Sequence, residues 1–271
     1  MDFVGKGKPL SRTGMIAALS QLGLGHSDGA HIWTVVEVET AGVTQGFGFR
    51  IDRRPHILFE RHKFRLFTDG RFDEEAPDIS GPPGAYGSLN IQYDRLEKAM
   101  TLCEKNALGV EPALKAASWG MGQVMGFNHT IAGFASAADM VEAMKTGEDA
   151  QLSAMAGFLI GTGLVDALVK KDWVGFAKGY NGKNYWMNKY DIKLSEQFHR
   201  FSSGSLPNLE VRTAQVALLF LGFSPGKIDG VIGPRTRDAI RNFRISSGLP
   251  DGDDLDSQTY EALSLKAGVG P

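Results

Sequence analysis

The sequence predicts a mainly α-helical protein (α+β, with a minor β-hairpin) made of two domains, and three observations lead to this expectation. Apolar residues recur at helical spacing, as in "MIAALSQLG", where Ile16 and Leu19 share one face. Strand candidates are few, namely "GFGFRI" and "HILF". The Ser, Gly and Pro residues of "FSSGSLPN" indicate a linker, with a boundary near Ser203. We therefore expect a large domain over 1–203 and a small one over 204–271.

Composition excludes several classes of partner. The chain has 271 residues, 42% of them hydrophobic, which is ordinary for a protein with a real core. A formal net charge of -2 provides no overall attraction to nucleic acid, and no stretch approaches the ~20 apolar residues of a membrane span. The start of the chain lacks the apolar core of a signal peptide. The single cysteine, Cys103, excludes an intramolecular disulfide and suits folding in a reducing cytosol.

The rest of the first domain is predicted to be mostly helical. The segment "SLNIQYDRLEKAMTLCEKNA" places Leu96 and Met100 on one face, and residues 136–182 are expected to hold two or three helices. Ser136 and Thr146, each followed by an Asp three residues later, are predicted to cap helices. The Gly- and Pro-rich stretch "APDISGPPGAYGS" indicates an irregular surface loop.

The stretch "HIWTVVEVETAG" contains the first candidate catalytic residue. If it is a helix, Ile32, Val35 and Glu39 share the apolar face, whereas Glu37 lies ~140° from Ile32 and faces water. If it is a strand, Glu37 and Glu39 both point outward. The β-branched content keeps the strand as a competitor. In the helical case the Glu39 carboxyl would resist ionisation and could act as a general acid.

A second acid, Glu60, lies within "RRPHILFERHKFRLF" among apolar residues, histidines and cations. Cleavage of a glycosidic bond uses one acid to protonate the leaving oxygen and often a second carboxylate to position water or stabilise the sugar cation. Glu60 is the natural second candidate. The alternative is an ordinary salt bridge to Arg54, Arg61 or Lys63.

Together these stretches resemble a known family. "VVEVETAG" followed by "RRPHILFERHKF" is similar to the muramidase domain of phage endolysins, whose two glutamates would be Glu39 and Glu60 here. Thr40 stands where that family usually has Ser, and the gap between the acids is a few residues longer, which inserted residues in "VTQGFGFRID" would accommodate by lengthening a hairpin. The resemblance implies a lysozyme-like helical catalytic domain.

Two more stretches resemble the wider group of goose-type lysozymes and lytic transglycosylases. "SWGMGQVMG" matches an element in which a Gln lines the cleft, here Gln123, with Trp119 as a possible sugar platform. "FAKGYNGKNY" matches an element that maps onto Tyr180 and Asn181, a ring and an amide that could hold a sugar. The alternatives are a core Trp119, a Gln123 that only builds a turn, and a helix end at Tyr180 and Asn181. Trp186 and Asn128 are weaker candidates.

The C-terminal segment contains an internal sequence repeat. "IDGVIGPRTRDAI" and "PDGDDLDSQTYEAL" both run from Asp-Gly through a short turn to a Thr and an apolar helix, which predicts a small three-helix unit. The segment resembles a peptidoglycan-binding domain, and the resemblance implies binding to the bacterial wall. Within the loop from Ile228 to Thr236 we expect the contacts at Ile228, Asp229, Gly230 and Thr236. The alternative is that these residues only build turns.

No metal-binding or nucleophile motif is present in the sequence, so we expect no metal and no organic cofactor. The resemblance implies a phage endolysin that hydrolyses the β-1,4 bond between N-acetylmuramic acid and N-acetylglucosamine in bacterial peptidoglycan. We expect a monomer that stays in the host cytoplasm until a holin releases it to the wall, without nucleic-acid partners or stable membrane association. The alternatives are a lytic transglycosylase acting on the same bond, a non-catalytic wall-binding phage component and a peptide-cleaving enzyme.

Overall fold

The computed structural model describes residues 1–40 and 46–270, and it confirms a mainly helical protein with a small antiparallel sheet. The N-terminal part contains ten of the α-helices described. They are α1 Arg12–Gln21, α2 Gly29–Thr40, α3 Arg61–Phe67, α4 Gln92–Lys105, α5 Glu111–Lys115, α6 Ala137–Met144, α7 Glu148–Gly161, α8 Val165–Lys170, α9 Trp173–Asn181 and α10 Tyr190–Ser203. Short 3-10 turns precede α2, α4 and α10 and follow the last strand.

Three short strands form the sheet, in the order β1 (Ile57–Phe59), β2 (Ala117–Trp119) and β3 (Val124–Met125). Both pairings are antiparallel, and Trp119 lies opposite Ile57 on one side and Val124 on the other. β1 ends at the residue before Glu60, so the sheet determines where that acid lies.

The buried core of the N-terminal part gathers around α2, α4, α7 and the sheet. α2 packs along α10, and α1 packs along α7. Ser11 begins α1 by accepting a hydrogen bond from the backbone of Gly14, and Ser136 begins α6 in the same way through the backbone of Asp139, as predicted. These caps position the ends of the helices that surround the site.

Three local predictions differ from the structure. "GFGFRI" is not a strand: among its described residues only an isolated bridge pairs Phe49 with Pro55. Residues 136–182 hold four helices rather than two or three. Thr146 does not cap α7, which begins after Gly147. Gly42, the expected stop of α2, and residues 43–45 of the expected hairpin lie outside the described residues.

The C-terminal module consists of α11 Leu209–Phe220, α12 Pro234–Ser246 and α13 Ser257–Ala267, which confirms the predicted three-helix unit. Its core includes two residues from far upstream, Phe47 and Phe49, both fully buried. The ring of Phe47 lies 5.7 Å from that of Phe220 in α11. The module is therefore built partly from the segment that follows α2. Across the described ranges, no helix combines the length and apolar character needed to cross a bilayer.

Candidate active site

The structure confirms the helical interpretation of the first acid's surroundings. Ile32, Val35 and Val36 on α2 are buried, and Glu39 follows on the same face, half-buried in the last turn. The Oε1 atom of Glu39 is inaccessible to solvent and has no hydrogen-bond partner within the described ranges. A carboxylate in such a position would lose hydration without gaining a donor.

Burial raises the pKa of Glu39 to about 8, because the charged form loses solvation. Glu39 and Tyr180 are close enough to interact electrostatically, and burial with the nearby Glu39 raises the pKa of the Tyr180 phenol. The Tyr180 hydroxyl donates a hydrogen bond of 2.6 Å to the carbonyl oxygen of Gly122. Glu39 therefore carries a proton at neutral pH and lies beside a ring fixed by the β2–β3 turn.

Glu60 lies at the junction of β1 and α3, where it is the residue that precedes the helix. Its backbone N–H donates to the carbonyl oxygen of Ala116, 2.9 Å away, at the start of β2. Its Oε2 lies 3.0 Å from Nδ1 of His62, at an angle unsuited to a hydrogen bond. Arg54, one of the salt-bridge partners expected for Glu60, pairs with Asp52 instead.

Burial raises the pKa of Glu60 above its ordinary value, while His62, the hydroxyl of Tyr86 and the charge of Lys63 act in the opposite direction. Burial is the largest of these influences, so Glu60 titrates at a higher pH than a solvated glutamate. Each acid thus has one buried oxygen without a hydrogen-bond partner among the described residues. The two acids differ in the groups nearby, because only burial acts on Glu39, whereas His62, Tyr86 and Lys63 also act on Glu60.

The β2–β3 turn connects the surroundings of the two acids. Gln123 occupies its left-handed position, with φ of 46°. Its amide accepts from Ser118 at 2.8 Å and donates to the carbonyl oxygen of Gly120 at 2.7 Å. The Gln123 side chain is half-buried, so it shapes the turn and keeps an edge toward solvent.

Trp119 is not placed to act as a sugar platform. Its side chain is 0% exposed, its indole N–H donates to the carbonyl oxygen of Leu114, and its ring lies 5.8 Å from that of Phe3. An enclosed indole offers no face to a ligand, so the core alternative applies to this residue. Asn181, by contrast, is exposed at the last position of α9. Trp186, which no motif singled out strongly, is 64% exposed in the 3-10 turn that follows α9.

Sequence reasoning missed one neighbour of Glu60, Tyr86, and misplaced Glu37. Tyr86 comes from the Gly- and Pro-rich loop, and only the presence of a lone aromatic there could have suggested a role. The Glu37 carboxylate does not face water: it pairs with Lys227 of the C-terminal module and lies 3.5 Å from Arg200 of α10.

Within the C-terminal module, most of the predicted wall contacts build the loop itself. Ile228 and Thr236 are each only 2% exposed. Gly230 has φ of 73° and lies so close to Asn208 that a Cβ there would come within 2.6 Å of its backbone nitrogen. Asp229 accepts from the backbone N–H of Val231 and from Gln215. The burial of Ile228 and Thr236 and the close approach at Gly230 favour the alternative that these residues build the loop, and their direct contact with the wall stays a prediction.

Two grooves flank the Pro225–Gly226 turn of the module, with volumes of about 730 and 430 Å³, and Arg235 lines both. The other arginines of α12 have acidic partners: Arg237 with Asp253, Arg241 with Asp253, and Arg244 with Asp256. Arg235 is exposed and has no ion-pair partner in the portions of the chain described.

Within the described ranges, no cluster of three or more His, Cys, Asp or Glu side chains could hold a metal ion. What the arrangement offers is a protonated carboxyl, Glu39, and a second carboxylate, Glu60, in a more polar environment. That combination can deliver a proton to a leaving oxygen and stabilise a positive charge.

Comparison with known proteins yields matches to two family models and to solved structures. Residues 28–202 match the model of the N-acetylmuramidase family, and residues 207–263 match that of a putative peptidoglycan binding domain. The fold is similar to the crystal structure of the Burkholderia AP3 phage endolysin, with 33% sequence identity, a TM-score of 0.61 and coverage of 72% of each chain. The comparison with curated proteins yields no match.

Proposed function

Because this chain belongs to the N-acetylmuramidase family, we propose that Glu39 is the general acid with which it cleaves peptidoglycan. The protein is a phage endolysin that hydrolyses the bacterial cell wall, with a muramidase domain and a wall-binding module. The bond is the β-1,4 linkage between N-acetylmuramic acid and N-acetylglucosamine. The observation that carries the assignment of Glu39 is its carboxyl, whose Oε1 is buried without a hydrogen-bond partner in the described ranges and whose pKa is raised to about 8.

In the proposed mechanism Glu39 protonates the glycosidic oxygen as the bond to the muramic acid carbon breaks. Glu60, which lies near His62, Tyr86 and Lys63, acts in its ionised form and stabilises the positive charge that develops on the sugar or activates the attacking water. Water supplies the hydroxyl of the new reducing end, and its proton restores the acid.

The substrate contacts are proposed from position. Tyr180 lies beside Glu39, and Gln123 lies in the β2–β3 turn. Asn181, which follows Tyr180, is exposed, and so is Trp186 in the 3-10 turn after α9. Exposed rings pack on the apolar face of a sugar, while amides bond its hydroxyls. Trp186 thus takes the platform role that the buried Trp119 cannot fill.

Mass spectrometry of the muropeptides released from purified walls tests the reaction. Hydrolysis is expected to produce new reducing ends on N-acetylmuramic acid, each heavier by one water than the anhydro product of a lytic transglycosylase. New amino groups without new reducing ends would mean peptide cleavage and would contradict the proposal.

The rate of glycan cleavage is expected to have a bell-shaped dependence on pH. Glu39 must be protonated to act, so kcat/KM should fall as pH rises through about 8, the pKa of Glu39 in the folded protein. Glu60 must be ionised, and because its pKa is raised, the acid side of the bell should begin above the pH typical of a solvated glutamate. Initial rates on soluble glycan across the pH range measure both limbs. An alkaline limb absent up to pH ~10, where tyrosines titrate, would exclude Glu39 as the acid.

For the C-terminal module we propose that Arg235 binds a carboxylate of the peptidoglycan stem peptides. The guanidinium is exposed between two grooves and has no acidic partner within the described ranges, so it can bind a carboxylate through two parallel hydrogen bonds. The nearby acid in the groove, Asp238, lies 3.7 Å from Arg241, which partly neutralises it.

Changing Arg235 to Gln is expected to weaken binding to insoluble peptidoglycan about tenfold, the loss typical of a charge-assisted hydrogen bond. Sedimentation with walls measures it, in a Glu39→Gln background that leaves the wall intact. The matched control is Arg237→Gln, two residues along the same helix and already paired with Asp253. Equal binding by both variants would contradict this role for Arg235.

Two further aspects of the function are proposals that rest on the family. We expect the protein to act as a monomer and to remain in the host cytoplasm until a holin opens the membrane. The wall-binding module then raises the local concentration of enzyme on its substrate.

A further inference from the structure

The helix that carries Glu39 is covered on one side by the C-terminal module. The guanidinium of Arg212, in α11, lies 5.4 Å from the centre of the Trp33 ring on α2. Lys227, in the loop before α12, pairs with Glu37 one turn further along. Ile228 of the same loop lines a cavity of about 230 Å³ together with Val36 and Thr40 of α2. The module therefore contacts α2 at Trp33 and at Glu37, and it faces Val36 and Thr40 across the cavity.

The same arginine also holds the segment that follows α2. Arg212 is fully buried and binds the Glu148 carboxylate with two nitrogens, the contact from Nη2 to Oε1 measuring 2.8 Å. Arg212 Nη2 also donates to the carbonyl oxygen of Gly46, and the backbone N–H of Gly48 donates to Glu148 Oε1 at 2.9 Å. Phe47, between these glycines, is buried in the core of the module.

We infer that the C-terminal module braces the helix that carries the catalytic acid, and that Arg212 is a positioning residue for glycan cleavage. This goes beyond anchoring the enzyme to the wall, and it rests on the proposed role of Glu39. Groups of the module hold Glu37 in the last turn of α2, and also Gly46 and Phe47 further along the chain, so release of Arg212 frees Glu39 to move. A displacement of about 1 Å at a catalytic group can lower the rate about a hundredfold.

The test uses a soluble substrate, so that an effect of Arg212 on the catalytic step can be separated from an effect on binding to the insoluble wall. Soluble glycan strands stripped of their stem peptides lack the carboxylates proposed to bind Arg235. On these strands, Arg212→Met is expected to lower kcat about tenfold to a hundredfold while KM changes less than about twofold. The alkaline limb of its pH profile should move from the parent value, because Glu39 sits in altered surroundings. Binding to insoluble walls should remain at the parent level.

Arg241→Met is the matched control, because Arg241 lies in the same module with exposed acidic partners, and its kcat should equal that of the parent. If Arg212→Met does not fold, as judged by circular dichroism, Lys227→Met decides the question. That variant removes the partly exposed contact to Glu37 alone and should lower kcat about threefold to tenfold.

If Arg212→Met folds and its kcat and pH profile equal those of the parent, the inference is overturned. If Arg212→Met does not fold, a kcat of Lys227→Met equal to that of the parent overturns it. Failure of the proposed function looks different, because the parent itself would then release no reducing ends from the strands.

Discussion

Replacing Glu39 by Gln is expected to lower the rate of glycan cleavage by about a thousandfold, within the range for loss of a general acid. Glutamine preserves the shape of the side chain but has no acidic proton for the leaving oxygen. Initial rates of reducing-end formation on soluble glycan measure the effect. Glu97→Gln, an exposed change on α4, is the control and should retain the parent rate.

The same variant should be more stable than the parent at alkaline pH, and this distinguishes a lost proton donor from a damaged fold. Burial raises the pKa of Glu39 from 4.5 to about 8, so the folded state binds more protons than the unfolded state between these values. The free energy of unfolding of the parent therefore falls as pH rises through this window. Glutamine does not titrate, so the free energy of unfolding of the variant does not fall for this reason.

Thermal melts at several pH values test this expectation. The Tm of Glu39→Gln should exceed that of the parent at pH 8, and the difference should shrink toward pH 4.5. An inactive variant with a lower Tm at pH 8 would point to misfolding. A variant as active as the parent would remove Glu39 from the mechanism altogether.

Periodicity placed Glu39 correctly for the helical alternative, because the spacing of Ile32, Val35 and Glu39 predicts which face of a helix is apolar. It did not exclude the strand, which the structure does. It could not reveal what covers that face. Glu37 was expected in water because its own helix leaves it outside the apolar stripe, yet Lys227 meets it from a module far along the chain. Contacts between distant segments depend on tertiary packing, which local spacing does not encode.

Motifs likewise located the β2–β3 turn and the loop near Asp229 but not the role of each residue in them. In both places one amide organises the backbone: Gln123 in the turn, and Gln215, which accepts from the N–H of Gly230 and donates to Asp229. The motif residues around these two amides stabilise the turn and the loop through their own contacts. The groups left free for ligands, such as Trp186 and Arg235, are exposed and lie outside the residues that we had taken from the motifs as contacts.

The largest loss of stability is expected from the buried ion pair between the two parts of the chain. Glu148 accepts from the backbone N–H groups of Leu10 and Gly48, at 2.8 and 2.9 Å, in addition to binding Arg212. Glu148→Gln removes the negative charge and leaves the Arg212 guanidinium buried without a counter-ion. Removal of one member of such a pair costs about 3–5 kcal/mol of the free energy of unfolding.

We expect Glu148→Gln to lower the Tm on the order of 10 °C, given about 2–4 °C per kcal/mol for chains near this size. Glu142→Gln, an exposed change on neighbouring α6, is the control and should change the Tm little. Combining Glu148→Leu with Arg212→Met should recover part of the lost stability, because no charge is then buried alone.

Because Phe47 and Phe49 complete the core of the module, both parts of the chain should unfold in one transition. A Glu148→Gln variant as stable as the parent, or one that melts in two separate steps, would show that the pair does not hold the two parts together.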